Sequence, residues 1–412
     1  MTRALLLASG AVLVLCGCGN ASEPLDRSSE GGSGSASSAG TTGSGGASSG
    51  PTGAGGEAGA PDPELDAFLE AQLEAANVPG MSAAVLKDGE VAWLGAYGLA
   101  DVDQGIPVEP GTLFQLASIS KTVVGVAVMQ LEEQGWFGLD DDVSTLLPFE
   151  VRHPSYPETP ITVRMLLSHT ASIRDEWYTL DAGVVQGDSP IALGDFLEDY
   201  LVPGGALYSD TYNFGEDEPG QTWEYSNVGA ALAAYVVEAV SGEPFDAYCQ
   251  AHLFAPLQMD ETSWRIGDLD PSHVAMPYDN SGAELEAYGQ YGYPDYPDGS
   301  LRTSAPQLAR FLGAFIQDGS LEGAQILEPQ TAQAMKELQV PEVEPTQAIV
   351  WYYQGETLGH DGLYLGVSTS MFYRPADGAG VIFLLNAVPE ARSYYAIEER
   401  LWLKADALAS GD

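Results

Sequence analysis

An α+β fold of the α/β-sandwich type is predicted by three observations. A hairpin signal stands near the start of the globular region, strand-like runs stand near its end, and apolar residues at helical spacing fill the middle and both flanks. The two ends then meet in one antiparallel sheet covered by terminal helices. The middle forms a mostly helical lobe, and the cleft between the two is the natural active site.

The elements follow in chain order. Met1-Thr2-Arg3 and the apolar run ALLLASGAVLVL read as a targeting segment, 1–17, too short to span a membrane. Leu15-Cys16-Gly17-Cys18 resembles a bacterial lipobox, and Cys18, preceded by a small residue, fits the lipidated position. Residues 18–61 are rich in Gly, Ser and Ala and read as a flexible tether. A GxSxG match at Gly46–Gly50 falls in this low-complexity stretch, without the strand and helix a nucleophile elbow needs. The domain proper is expected over 62–412. PELDAFLEAQLEAANV has helical spacing and stops at Pro79-Gly80. MSAAVLKDGEVAWLGAYGLA reads as two strands joined at Asp88-Gly89. LASISKTVVG opens an apolar helix that runs to about Gln134-Gly135. Helical segments follow over 161–270 and 304–338, including VGAALAAYVVEAVSG and FDAYCQAHLFAPL. AIVWYYQ, VSTSMFYR and GVIFLLNA read as strands, and SYYAIEERLWLKADALA as a closing helix.

Composition excludes some functions. The net charge is −44, from 15 basic and 59 acidic residues, so nucleic acid phosphates would be repelled. The three cysteines include two in the leader region, which leaves Cys249 without a partner for an internal disulfide. The five histidines are scattered, and no metal site is expected.

The chemistry starts from Ser118 and Lys121. On a helix, i and i+3 share a face, so the hydroxyl and the amine can meet. A cation in the first turn opposes the helix dipole, and burial also disfavours ammonium. A neutral amine beside Ser118 would then take its proton and make a nucleophile. Read alone, the pair equally fits a capping serine and a lysine that snorkels to water. Tyr225-Ser226-Asn227 precedes an apolar helix, where Tyr225 can relay a proton and Asn227 can hold lysine and substrate. It also fits a simple helix cap. Gly359-His360-Asp361-Gly362-Leu363 lies between two apparent strands, with His360 able to donate a hydrogen bond into a cleft. By itself this run also reads as a turn.

Taken in order, Ser-x-x-Lys, Tyr-x-Asn and His-x-Gly resemble the serine hydrolases related to class C β-lactamases. These include D-alanyl-D-alanine carboxypeptidases, D-aminopeptidases and esterases. The likeness extends to LASISK, ITVRMLLSHTASI, WEYSNVGAALAAYVVEAVSGEPF, LFAPLQMDETSW and LGHDGLYLGVSTSMFYRP, over about 62–408. The resemblance implies that Ser118 forms an acyl-enzyme and that Lys121 and Tyr225 share base and acid duty. It implies that Asn227 orients and that the N–H groups of Ser118 and Leu363 form the oxyanion hole. His169 is implied to be structural, and no cofactor is implied.

β-Lactamases usually have Lys-Thr-Gly where this chain has His360-Asp361-Gly362. With Asp361 and Gly362 expected at the substrate, a substrate carboxylate would be repelled. Neutral or amine-bearing esters and amides are therefore expected. The alternatives are a carboxypeptidase or β-lactamase activity, or a tethered binding protein without turnover. Aromatic loops over 175–218 and 288–296 are candidates to wall the cleft. The expected protein is an exported, lipid-anchored monomer of the cell envelope that takes a small ester, amide or peptide-like molecule.

Overall fold

Asp62 opens the first element: it accepts a hydrogen bond from Leu65 N at 3.1 Å and caps the helix Pro63–Ala75. The computed structural model describes residues 62–410. The expected leader, Cys18 and the tether lie outside the described residues. The first helix stops before Pro79, because Asn77 takes a left-handed φ of 51° and turns the chain.

Asp88 and Gly89 both have positive φ, 54° and 79°, as a two-residue hairpin turn requires. They join the strands Gly80–Lys87 and Glu90–Asp101. Gly80–Lys87 also pairs antiparallel with Ala379–Leu385, with Met81 opposite Leu385. The chain ends thus meet in one sheet, as the sequence predicts. Its seven strands run, edge to edge, Tyr352–Gln354, Thr357–Tyr364, Val367–Arg374, Ala379–Leu385, Gly80–Lys87, Glu90–Asp101 and Ile106–Pro107.

Alternation along the central strands sorts two cores. Met81, Ala83, Val85, Val381, Phe383 and Leu385 face the terminal helices, where Leu65, Leu69, Ile397 and Leu401 pack on them. Ala84, Leu86, Ile382 and Leu384 face the larger core. That core holds the helix Ser120–Glu133, which is buried from Ser120 to Leu131, and the helix Ala305–Ile316. The helix Asn227–Ser241 is buried along most of its length and ends at Gly242, whose φ of 76° suits a helix stop. It packs against Ser120–Glu133, so two of the sequence-predicted motifs ride on adjoining helices.

The Gly359–Leu363 run differs from the turn that its glycines suggest. It belongs to the strand Thr357–Tyr364, paired on one side along its length with Val367–Arg374 and on the other only as far as Gly359. Gly362 is needed there because a Cβ would lie 2.1 Å from Leu116 O and 2.2 Å from Thr369 Oγ1. The glycine therefore admits the backbone of the Ser118 turn.

Candidate active site

Ser118 sits in a short 3₁₀ turn, Ala117–Ile119, that feeds into the helix Ser120–Glu133. Ala117 has φ 48°, a strained conformation for a non-glycine residue. The turn is pinned to the sheet by Thr369, whose hydroxyl donates to Leu116 O at 2.7 Å. As an early residue of the turn, Ser118 has an N–H with no helical acceptor. The edge of Thr357–Tyr364 beyond Gly359 is likewise free of the Tyr352–Gln354 strand, and that edge carries His360 and Leu363. The Leu363 side chain is half exposed.

Lys121 is fully buried beneath Ser118. Its Nζ donates to Ser118 Oγ at 3.1 Å and to Asp298 O at 2.8 Å, and lies 3.7 Å from Asp298 Oδ2. It stands 5.1 Å from the centre of the Tyr225 ring. The Tyr225 hydroxyl is buried with no aligned hydrogen-bond partner. The His360 ring is 6.2 Å from that of Tyr225. Ser118, Lys121, Tyr225 and His360 therefore form one cluster, from three distant parts of the chain.

The electrostatics correct the expectation of a neutral amine. Burial does push Lys121 down, but Tyr225, Asp298 and Asp175 outweigh it and raise its pKa above 10.5. Burial also raises Tyr225, against a lowering by Lys121 and Ser118. The pair is thus biased toward keeping its protons, and Tyr225 acts on the amine as a charge only once its phenol is ionised. Burial and the Asp175 charge hold Asp298 up at about 6, although Lys121 pulls it down.

His360 is corrected too. Its Nδ1 lies 2.6 Å from Asp361 O, and a carbonyl oxygen only accepts, so Nδ1 carries the proton. Burial and the Lys121 charge push its pKa down to about 3. The neutral ring then leaves Nε2 as a lone-pair acceptor, buried and without a partner, rather than the expected donor.

Asp361 does not face the cleft. Neighbouring side chains on a strand point to opposite faces, so His360 and Asp361 diverge. The Asp361 carboxylate accepts from Tyr352 Oη at 2.8 Å and from Tyr394 Oη on the C-terminal helix. The expected repulsion of substrate by Asp361 is therefore withdrawn, and Gly362 shapes the Ser118 turn. Asn227 starts the helix Asn227–Ser241, with Ser226 as its cap. His169 supports the Tyr225–Ser226 segment: Ser226 N donates to its Nδ1 at 3.2 Å, and its ring lies 4.4 Å from that of Tyr225.

The aromatic loops divide. Tyr208 and Phe214 pack on each other, whereas Trp177, Tyr178 and Tyr212 are exposed. Val185–Gln186 pairs with Tyr291–Gly292, which joins the two loops. Tyr291 and Tyr293 pack on Tyr364, at the end of the His360 strand. Sequence reasoning missed Asp298 and Asp175. Among 59 acidic residues neither carries a signal of its own, and Asp298 engages Lys121 partly through a backbone carbonyl. Among the described residues, no group of three or more His, Cys, Asp or Glu side chains is placed to hold a metal ion.

Comparison with known proteins assigns the fold to a family. The Beta-lactamase family model matches residues 65–405. Protein flp of Staphylococcus aureus (strain MW2) is 24% identical over 327 residues, 78% of this chain and 62% of that protein. Esterase EstB of Burkholderia gladioli is 33% identical over 223 residues, 53% of this chain and 55% of the esterase. The chain thus spans about half to three-fifths of the length of these curated relatives. The octameric penicillin-binding protein homologue from Pyrococcus abyssi superposes with a TM-score of 0.64 at 24% identity, over 85% of this chain and 77% of that one.

The placement of Asp361 has a measurable consequence. Asp361→Asn removes one acceptor from two tyrosine hydroxyls and should cost about 1–3 kcal/mol in denaturant unfolding. The ratio of rates on neutral and anionic substrates should stay within about two-fold of wild type, because the group is remote from substrate. A large gain on anionic substrates would return Asp361 to the cleft.

Proposed function

We propose that this chain, which belongs to the Beta-lactamase family of serine hydrolases, cleaves ester or amide bonds through an acyl-enzyme on Ser118 and favours small neutral or amine-bearing substrates. The observation that carries the reading is the 3.1 Å contact between Ser118 Oγ and buried Lys121, with the Tyr225 ring 5.1 Å from the same amine.

Attack requires a lone pair to take the Ser118 proton. The Lys121–Tyr225 pair supplies it once it has lost one proton, held as a phenolate or as a free amine. Ser118 Oγ then bonds to the substrate carbonyl carbon, and the oxyanion is held by the N–H groups of Ser118 and Leu363. Donors of this kind contribute about 3–4 kcal/mol each. The captured proton passes to the leaving alcohol or amine as its bond to carbon breaks. Water, activated by the same pair, releases the acid and restores Ser118. Asn227 orients from the adjoining helix.

The substrate preference rests on His360 and on the buried acids. A lone pair on Nε2 favours a substrate N–H or O–H and opposes the lone pairs of a carboxylate. Asp298 and Asp175 add negative potential around Lys121. Export and lipidation at Cys18 belong to the same proposal, supported by the apolar run that ends at Gly17-Cys18. Metabolic labelling with a palmitate analogue should tag the full chain expressed in a bacterial host and not its Cys18→Ala variant; equal labelling of both would remove the anchor.

A fluorophosphonate probe should label the protein and fail on Ser118→Ala. Because the pKa values of Lys121 and Tyr225 are both raised, the base form grows as protons leave. The kcat/KM on p-nitrophenyl butyrate should therefore climb from pH 7 into the alkaline range. At one pH it should exceed that on the cephalosporin nitrocefin. A clear win for nitrocefin supports a β-lactamase instead, and absence of labelling supports a binding protein.

A further inference from the structure

Asp175 has no role in the steps above, yet it is the most heavily bonded acid near them. Its Oδ2 accepts from Asn227 N at 2.9 Å and from Asn227 Nδ2 at 2.8 Å. Its Oδ1 accepts from Val228 N at 3.1 Å and from Ser226 Oγ at 3.3 Å. The carboxylate thus sits on the first turn of the helix Asn227–Ser241, where the dipole favours an anion.

The turn that delivers Asp175 is itself fixed. Tyr200 is fully buried, donates its hydroxyl to Arg174 O at 2.8 Å and accepts from Glu176 N at 2.7 Å. Arg174 N donates to Asn213 O at 2.9 Å, and the Arg174 guanidinium pairs with Glu224 at 2.8 Å, one residue before Tyr225. Asp175 is therefore held from both sides, while two backbone N–H groups and Ser226 fix its oxygens.

An ionised carboxylate only accepts, so it dictates which end of the Asn227 amide it meets. The NH₂ group turns to Asp175, which leaves Oδ1 as the end directed away from the carboxylate. Without Asp175, the amide is free to rotate by a half turn and present donors in place of an acceptor.

We propose that Asp175 is a positioning residue that acts through Asn227, fixing the amide so that its oxygen is offered to the cleft. This rests on the hydrolase reading above, and the test separates the two. Asp175→Asn is close in shape but brings an NH₂ where the helix start already donates. With p-nitrophenyl butyrate, Asp175→Asn should cut kcat about ten- to a hundred-fold and leave KM within about three-fold, since orientation rather than binding is lost. Introduced into Asn227→Ala, the same change should cost less than about three-fold, because the group it acts through is gone.

Equal losses in the two backgrounds, or a wild-type kcat in Asp175→Asn, would overturn the proposal. Should Asp175→Asn fail to fold, the side-chain amide of Asn227 in the wild-type protein gives a second reading by nitrogen-15 NMR, assigned by its absence in Asn227→Ala. Slow hydrogen exchange of that NH₂ is expected of a group bonded to a carboxylate, and exchange as fast as in free asparagine would contradict it. Fluorophosphonate labelling of each protein distinguishes the failures. Labelling of wild type that does not depend on Ser118 sinks the hydrolase reading. Ser118-dependent labelling with equal losses in both backgrounds sinks only the role of Asp175.

Discussion

A buried ammonium needs partners, and that requirement organises the cleft. Lys121 has no exposed surface, and an unpaired charge there would cost several kcal/mol. Asp298 supplies a carbonyl oxygen and a nearby carboxylate, Ser118 an acceptor, and Tyr225 a ring face. Satisfying Lys121 brings the Ser118 turn, the Tyr296–Asp298 turn and the start of the helix Asn227–Ser241 to one point. The same acids that make burial tolerable hold the proton on the amine. The site therefore rests one deprotonation away from reactivity, with the base form reached as pH rises.

The sheet completes this cluster from the other side. Gly362 admits the Ser118 turn where a side chain would collide with Leu116 O, and Thr369 clamps that turn by its hydroxyl. The strand alternation then divides labour within three residues. His360 faces the cluster as a neutral acceptor, Asp361 ties the strand to Tyr394 of the C-terminal helix, and Gly362 makes room. The terminal helix that closes the chain thus braces the strand that carries His360. It does so from the face opposite the chemistry.

Local chemistry made much of this legible in the sequence. Asp88-Gly89 announces its hairpin because only a few residue types accept two successive positive φ values. The motif residues Ser118, Lys121, Tyr225 and His360 are recognisable because their chemical types recur at fixed spacing, and the structure gathers them as the resemblance implies. The strand Thr357–Tyr364 was hidden by its glycines, which read as a turn until the pairing with Val367–Arg374 is known. The charge of Lys121 was not legible at all. Its partner Asp298 lies 177 residues away and acts partly through a backbone oxygen that no side chain advertises. The facing of Asp361 was equally hidden, since a one-residue shift in register would have reversed it.

The protonation of Lys121 is the claim on which this account turns, and it can be read directly. Lys87, Lys121, Lys336 and Lys404 are the chain's four lysines, so carbon-13 labelling at Cε gives a spectrum simple enough to assign with a Lys121→Met variant. The Lys121 signal should stay in its ammonium position through neutral pH and titrate above the ordinary 10.5. A midpoint below about 8 would mean that burial has overcome the surrounding acids, and would contradict the account.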